Sequence, residues 1–178
     1  MFIENDSDIK IAGDKPSRDI SKNSGAGEEK SATAQQRDAA KKIGTAVAKQ
    51  YLKDAADLPD GENGDFGLLM QRRLLLSFSA TVGFEQYIGD DTLVGIAQKS
   101  FLDTVRKAGE EIYKTSSDMG AFSFYYLAFR RGSDIERRIG QTFAMLCSHD
   151  GDPIFQELGE ALYCWFTSVV RKTVKEYL

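Results

Sequence analysis

Residues 116–138 read "SSDMGAFSFYYLAFRRGSDIERR", and whether they form a helix or a strand sets the class of the whole chain. Between Phe122 and Phe129, six of eight positions are aromatic or leucine. Aromatic residues favour strands, but nothing nearby offers a pairing partner. At helical spacing Phe122, Tyr125, Tyr126 and Phe129 make one face, while Phe124 and Leu127 lie elsewhere on the helix surface. Burying one such ring contributes about 1.5–3 kcal/mol, so four left in water would forfeit roughly 6–12 kcal/mol, as much as a domain's net stability. The spacing therefore predicts a central helix over residues 121–129, with neighbours on most sides. Ser117 is its expected cap, and Arg130, Arg131 and Gly132 form its end. The alternative is a pocket wall, in which Tyr125 or Tyr126 presents its hydroxyl to a ligand.

Outward from this segment, helical signals continue in both directions. "SDIE", residues 133–136, has the form of a capping box, with Ser133 and Glu136 closing the start of the next helix. Ile135, Ile139, Phe143 and Leu146 follow at three- and four-residue steps, and Gly151 ends that helix. Asp152 is then a cap and Pro153 a first-turn residue. The last helix carries a stripe of Leu158, Leu162, Trp165 or Phe166, Val169 and Val170, and is expected to form an antiparallel hairpin with its predecessor. Upstream, a helix over about 66–88 is apolar nearly all round in its second half, which places it centrally. Gly89 ends it, and Asp91 can cap a helix with Val94, Ala97, Phe101 and Val105 on one face. A short turn around "EEIYK" links that helix to the aromatic segment.

The N-terminal third differs in kind. Of the 18 phenylalanines and tyrosines only Phe2 and Tyr51 precede residue 66. Residues 1–30 are rich in Asp, Lys, Ser and Gly and read as a flexible polar tail, because such a segment buries too little apolar surface to offset its ordering entropy. Residues 31–58 form an amphipathic helix whose thin stripe, Ile43, Val47 and Tyr51 widened by Ala40 and Ala46, suits the edge of a core or a neighbouring molecule. "DLPDGENGDFG" is a loop. The expected fold is all-α: a compact bundle of about six to seven helices, its core in residues 66–178, with a disordered polar N-terminal tail.

Several chemistries find no support. Acidic residues outnumber basic ones, 27 to 23, which argues against nucleic acid as a main partner. No signal peptide and no apolar run approaching about 20 residues is evident, so the expectation is a soluble cytoplasmic protein without a membrane partner. Cys147 and His149, the only histidine, stand two apart beside Asp150 and Asp152, which fits no four-ligand zinc motif. A catalytic Cys–His pair usually comes from distant parts of a chain, so Cys147 is expected to pack inside and His149 to mark a polar helix exit. The carboxylates of residues 57–65 miss the register of a calcium loop, and "SGAGEEKS" lacks the strand and the lysine–serine ending of a phosphate loop. No metal, cofactor or catalytic residue is nominated. Gly83, Gly95, Gly140 and Gly159 fall inside expected helices and read as points of close helix approach, or alternatively as room for a ligand.

The candidate ligand-binding residues are Tyr125, Tyr126, Arg130, Arg131, Arg137 and Arg138. The two arginine pairs suit a helix C-terminus and a solvated surface. The sharper reading is that they converge across the Gly132 turn into an anion site, with the amides of the following helix. The expected role is a non-enzymatic helical protein-interaction or regulatory module, recognising another protein or itself through the tail and the thin N-terminal helix. The alternative is a binding protein for an apolar or anionic small molecule, with arginines at the mouth of an aromatic pocket.

Overall fold

The structure, a computed structural model, describes residues 32–55 and 66–178. The expected tail at 1–30 and the loop at 56–65 lie outside the described residues. Seven helices and no strand occur among the described residues: α1 (Ala34–Asp54), α2 (Phe66–Ile88), α3 (Asp91–Ala108), α4 (Glu110–Ser116), α5 (Met119–Arg130), α6 (Ile135–Leu146) and α7 (Pro153–Tyr177). The all-α reading holds, and the aromatic segment is a helix. No helix among the described residues is long and apolar enough to cross a membrane.

The centre belongs to α2. Every residue from Arg73 to Ala80 is buried, and so are Val82, Gly83 and Phe84. A helix buried on all sides needs neighbours on all sides. Leu76, Ala80 and Phe84 face a cluster built with α1, α3 and the C-terminal half of α7, around Tyr51, Phe101, Phe166 and Val170. Leu74, Leu75, Phe78 and Val82 face a second cluster with α5, α6 and the start of α7, around Tyr125, Ile139, Phe143 and Tyr163.

The aromatic helix α5 is therefore not central. Its stripe buries Phe122, Tyr125 and Ala128 against α2 and α6, but Phe124 and Leu127 remain 47% and 59% exposed. The stripe was legible; the depth was not, because α2 already occupies the middle. By contrast, α1 is a full member of the core. Ala40, Ile43, Gly44, Val47, Ala48 and Tyr51 are all buried. The thin stripe works because Gly44 lets α1 lie directly on α3. A Cβ at that position would overlap the Ala97 carbonyl oxygen, and Ser100 Oγ, donating to the Lys41 carbonyl at 2.8 Å, fastens the crossing.

Tyr51 closes the joint between α1, α2 and α4. Its ring meets Phe101 and Phe166 edge-on at 5.4 and 6.4 Å. Its hydroxyl is 2.7 Å from Ser116 Oγ, and Ser77 Oγ donates to the Ser116 carbonyl at 2.7 Å. Arg73 Nε donates to the Ala55 carbonyl at 3.0 Å, so this buried guanidinium holds the end of α1.

The helix ends bring corrections. "EEIYK" lies within a true helix, α4, and Ser117 terminates it, its Oγ donating to the Tyr113 carbonyl at 2.9 Å, rather than capping α5. The capping box at Ser133 and Glu136 does not form. Gly132 and Asp134 both take positive φ, 85° and 51°, so Asp134 is the residue before α6 and makes no side-chain cap. That conformation carries Ser133 off the helix axis, and its hydroxyl meets Arg138 Nη2 at 3.5 Å instead. The end of α6 comes earlier than Gly151, in a paired 6→1 and 5→2 closure. His149 N–H donates to the Ala144 carbonyl, Ser148 N–H to that of Met145, and Ser148 adopts φ 61°. Asp152 does cap α7, accepting from Ile154 N–H at 2.9 Å, with Pro153 in the first turn.

Helices α6 and α7 form the expected antiparallel hairpin, but the stripe of α7 is rotated. Gly159, Tyr163, Phe166, Thr167, Val170 and Val174 are buried, whereas Leu158 and Trp165 are each 39% exposed. The smallest residue sets the contact: a Cβ on Gly159 would come within 2.5 Å of Phe143 Cβ, and one on Gly140 would overlap the Gln156 carbonyl oxygen. Gly83 is likewise closed in, by Val170, while Gly95 faces open space and makes no close helix approach.

These glycines give a paired expectation. Gly44→Ala should lower the unfolding free energy by about 1–3 kcal/mol through overpacking, although alanine is the better helix former. Gly95→Ala should raise it by up to about 1 kcal/mol. Denaturant melts of the two variants decide the matter: equal effects of one sign would mean that the α1–α3 approach is not close.

Candidate functional site

The six candidate residues do not form one site. The structure distributes them around α5. Tyr125 is fully buried and points into the second core cluster, where its ring stacks on Phe78 at 5.3 Å with an interplanar angle of 28°. Tyr126 is half-buried and lies in a cleft between α2, α3 and α5, its hydroxyl 3.4 Å from Glu85 Oε1. The Arg130 guanidinium lies 6.0 Å above the Tyr126 ring. Arg137 is exposed and lines neither depression of α5. Only Arg131 and Arg138 come together. The expected four-arginine convergence across Gly132 is therefore replaced by a two-arginine arrangement, because the two left-handed residues of the turn splay the pairs apart.

Arg131 and Arg138 line a groove of about 650 Å³ between α5 and α6, closed at one end by the 150–151 turn and Gln156 of α7. Its apolar walls are Phe124, Leu127 and Met145, which are 47%, 59% and 43% exposed. Arg138 Nη1 is buried and has no hydrogen-bond acceptor among the described residues. Neither arginine forms an ion pair there; the pairs found are Lys41–Asp38 and Arg73–Glu111. Gln141, Thr142 and Asp150 add neutral and acidic polar groups. The arrangement is thus an apolar trough with two guanidinium groups against one carboxylate. Sequence reasoning did not nominate Phe124, Leu127 and Met145 as lining a recess. Their signal was present: the first two stand off the buried stripe of α5.

The thiol and imidazole of "CSHDGD" occupy different environments. Cys147 is buried in the second cluster, while His149 is exposed and its ring stacks on Phe155 at 3.7 Å. No group of three or more His, Cys, Asp or Glu among the described residues is placed to hold a metal ion. Cys164 is exposed, with its thiol pKa pushed up by burial of the sulfur and by Glu136 and Glu160 nearby. That setting favours the thiol over the reactive thiolate.

Set beside known proteins, the chain matches no family model, no curated protein and no solved structure. The site has to be read from its own geometry.

Two buried phenols carry a measurable consequence. Burial favours the neutral form of Tyr51 and pushes its pKa up to about 12, although Ser116 and Arg73 pull the other way. Burial raises Tyr125 as well, with Cys147 adding to it. Each phenol keeps its proton longer in the folded state, so its share of stability is complete below the unfolded value of 10.0 and is lost as pH rises through the folded one. Stability should hold up to about pH 9 and then fall by about 1.4 kcal/mol per unit for each such group. The Tyr125 hydroxyl also has no hydrogen-bond partner among the described residues. Tyr125→Phe should therefore raise stability at neutral pH by about 1 kcal/mol and make the alkaline decline shallower. Melts across pH, with tyrosinate absorbance, test this; a destabilised Tyr125→Phe would mean that the hydroxyl is bonded after all.

Proposed function

We propose that the chain is a non-enzymatic helical interaction module whose α5–α6 groove receives an acidic, amphipathic segment of a partner protein. The observation that carries this reading is the buried Arg138 Nη1, without a hydrogen-bond partner among the described residues, in a trough walled by exposed Phe124, Leu127 and Met145. An unpaired buried donor is costly to keep, and a carboxylate is its strongest partner, all the more so when Arg131 offers a second guanidinium in the same groove. Covering half-exposed apolar side chains of this size contributes on the order of 1 kcal/mol each. A helix with an apolar stripe and a flanking acidic residue satisfies both demands at once. The thin α1 stripe does not serve as the recognition surface in this reading, since the core consumes it. The excess of acidic residues, 27 against 23, goes with a protein rather than a nucleic-acid partner. Two free cysteines, one of them exposed, suit a reducing cytoplasm.

Selection of displayed random peptides on the full chain tests the reading. The enriched sequences should combine Leu or Phe at three- and four-residue spacing with Asp or Glu. Their binding should weaken with added salt and fall at least tenfold on Leu127→Asp or Arg138→Gln, two changes at a surface that leave the core intact. Basic or purely polar winners would overturn it. So would winners indifferent to both substitutions, or a concentration-dependent dimer that Leu127→Asp abolishes, which would give the groove to a second copy of the chain.

A further inference from the structure

The other flank of α5 holds a second depression of a different chemical kind. It encloses about 440 Å³ between α2, α3 and α5, within the usual range of small-ligand pockets. Its floor is made of rings that are otherwise almost wholly buried: Phe84, Phe101 and Phe122 are 1%, 2% and 3% exposed, and Leu102 flanks them. An apolar ligand placed there would meet an aromatic surface already held rigid by the core.

The polar groups around the cleft divide sharply. Thr81 Oγ1 donates to the Ser77 carbonyl, Ser116 Oγ to that of Ile112 and Ser117 Oγ to that of Tyr113, so the lining hydroxyls are already engaged. What remains for a ligand is Glu85 on α2 and Gln98 on α3. Glu85 accepts from the Tyr126 hydroxyl and forms no ion pair among the described residues, and Gln98 forms no side-chain hydrogen bond there. Arg130 lies over the Tyr126 ring and is not part of the cleft lining.

We propose that this cleft is a binding site for a small organic amine, whose apolar or aromatic body rests on Phe84, Phe101, Leu102 and Phe122 while its ammonium group pairs with Glu85. A carboxylate beside an aromatic floor selects for a cation with an apolar body. The charge attracts the ammonium group directly, and the rings take the rest of the molecule. The amide oxygen of Gln98 supplies a second acceptor for an N–H. A carboxylic acid of the same shape would meet the Glu85 charge. The site is independent of the α5–α6 groove and stands whether or not that groove takes a peptide.

Three probes of one size separate the possibilities: 2-phenylethylamine, 2-phenylethanol and phenylacetate, titrated into the full chain while its backbone amides are followed by NMR. The amine should produce saturable shifts at Phe84, Glu85, Phe101 and Tyr126, with the alcohol weaker and the acid weakest. Glu85→Gln, at an exposed position, should lower the affinity for the amine about fivefold and leave that for the alcohol unchanged. Leu102→Trp should fill the cleft and remove the shifts by all three. The proposal is overturned by the absence of saturable shifts with the amine, by equal amine affinity in Glu85→Gln, by phenylacetate binding more tightly, or by shifts that map to Leu127 and Met145 instead.

Discussion

A helix whose middle has no solvent face constrains everything else. From Arg73 to Phe84 only Thr81 in α2 is not buried, so other helices must surround it, and chain length decides how. The long helices α1, α3 and α7 take one side. The short ones, α5 and α6, take the other with the beginning of α7. Two clusters result rather than one, with Leu162 touching both. The polar residues of α2 are arranged to tolerate this burial. Ser79 returns its hydroxyl to the Leu75 carbonyl at 2.7 Å, Ser77 reaches α4, and Arg73 reaches the end of α1. Paired groups of this kind stabilise modestly when satisfied and cost far more when broken.

Glycines determine how closely the surrounding helices approach. Gly44 against Ala97, Gly83 against Val170, Gly140 against Gln156 and Gly159 against Phe143 are four contacts in which backbone meets backbone or side chain without a Cβ between them. Each loses about 0.8–1 kcal/mol of helix propensity relative to alanine. In return the helices present a continuous row of small atoms to one another, and dispersion contacts multiply at short range. This is why α1, with a stripe too thin to predict a core position, is nevertheless embedded.

Much of the fold was legible, and the exceptions have physical causes. Periodicity located six of the seven helices and the faces of α3 and α6, because apolar side chains that recur along one side of a helix mark the side turned away from water; α4, too short to show a period, read as a turn. Asp152 and Pro153 announced the start of α7 correctly, since both act within a single turn. The Ser133–Glu136 cap failed because its geometry depends on the φ of Gly132 and Asp134, which residue type alone does not fix. Of the α7 stripe, Phe166 and Val170 are buried as expected, while Leu158 and Trp165 turn outward because Gly159 sets the contact with α6. The depth of α5 failed for a related reason. Ring count measures how much area a helix could bury, but not how many neighbours it will have. Of the candidate site, Arg131, Arg138 and Tyr126 proved to line surface depressions, whereas Tyr125 became core and Arg137 stayed on the open surface. The apolar walls were missed because an off-stripe phenylalanine or leucine carries no motif.

The position of α5 explains why both depressions lie beside it. Four of its rings, Phe122, Tyr125, Tyr126 and Phe129, converge on the single side chain of Phe78, at centroid distances from 5.1 to 6.3 Å. This helix of 12 residues packs by that stripe on α2 and α6, and its off-stripe residues are left partly open on both flanks. The gaps on either side are therefore a consequence of the aromatic stripe itself. One gap opens where Phe124 and Leu127 face α6 and its arginine, the other where Phe122 and Tyr126 face α3 and Glu85. They share α5 as a wall but no lining residue. The same rings that make the helix fold as it does leave it flanked by two recesses of opposite charge.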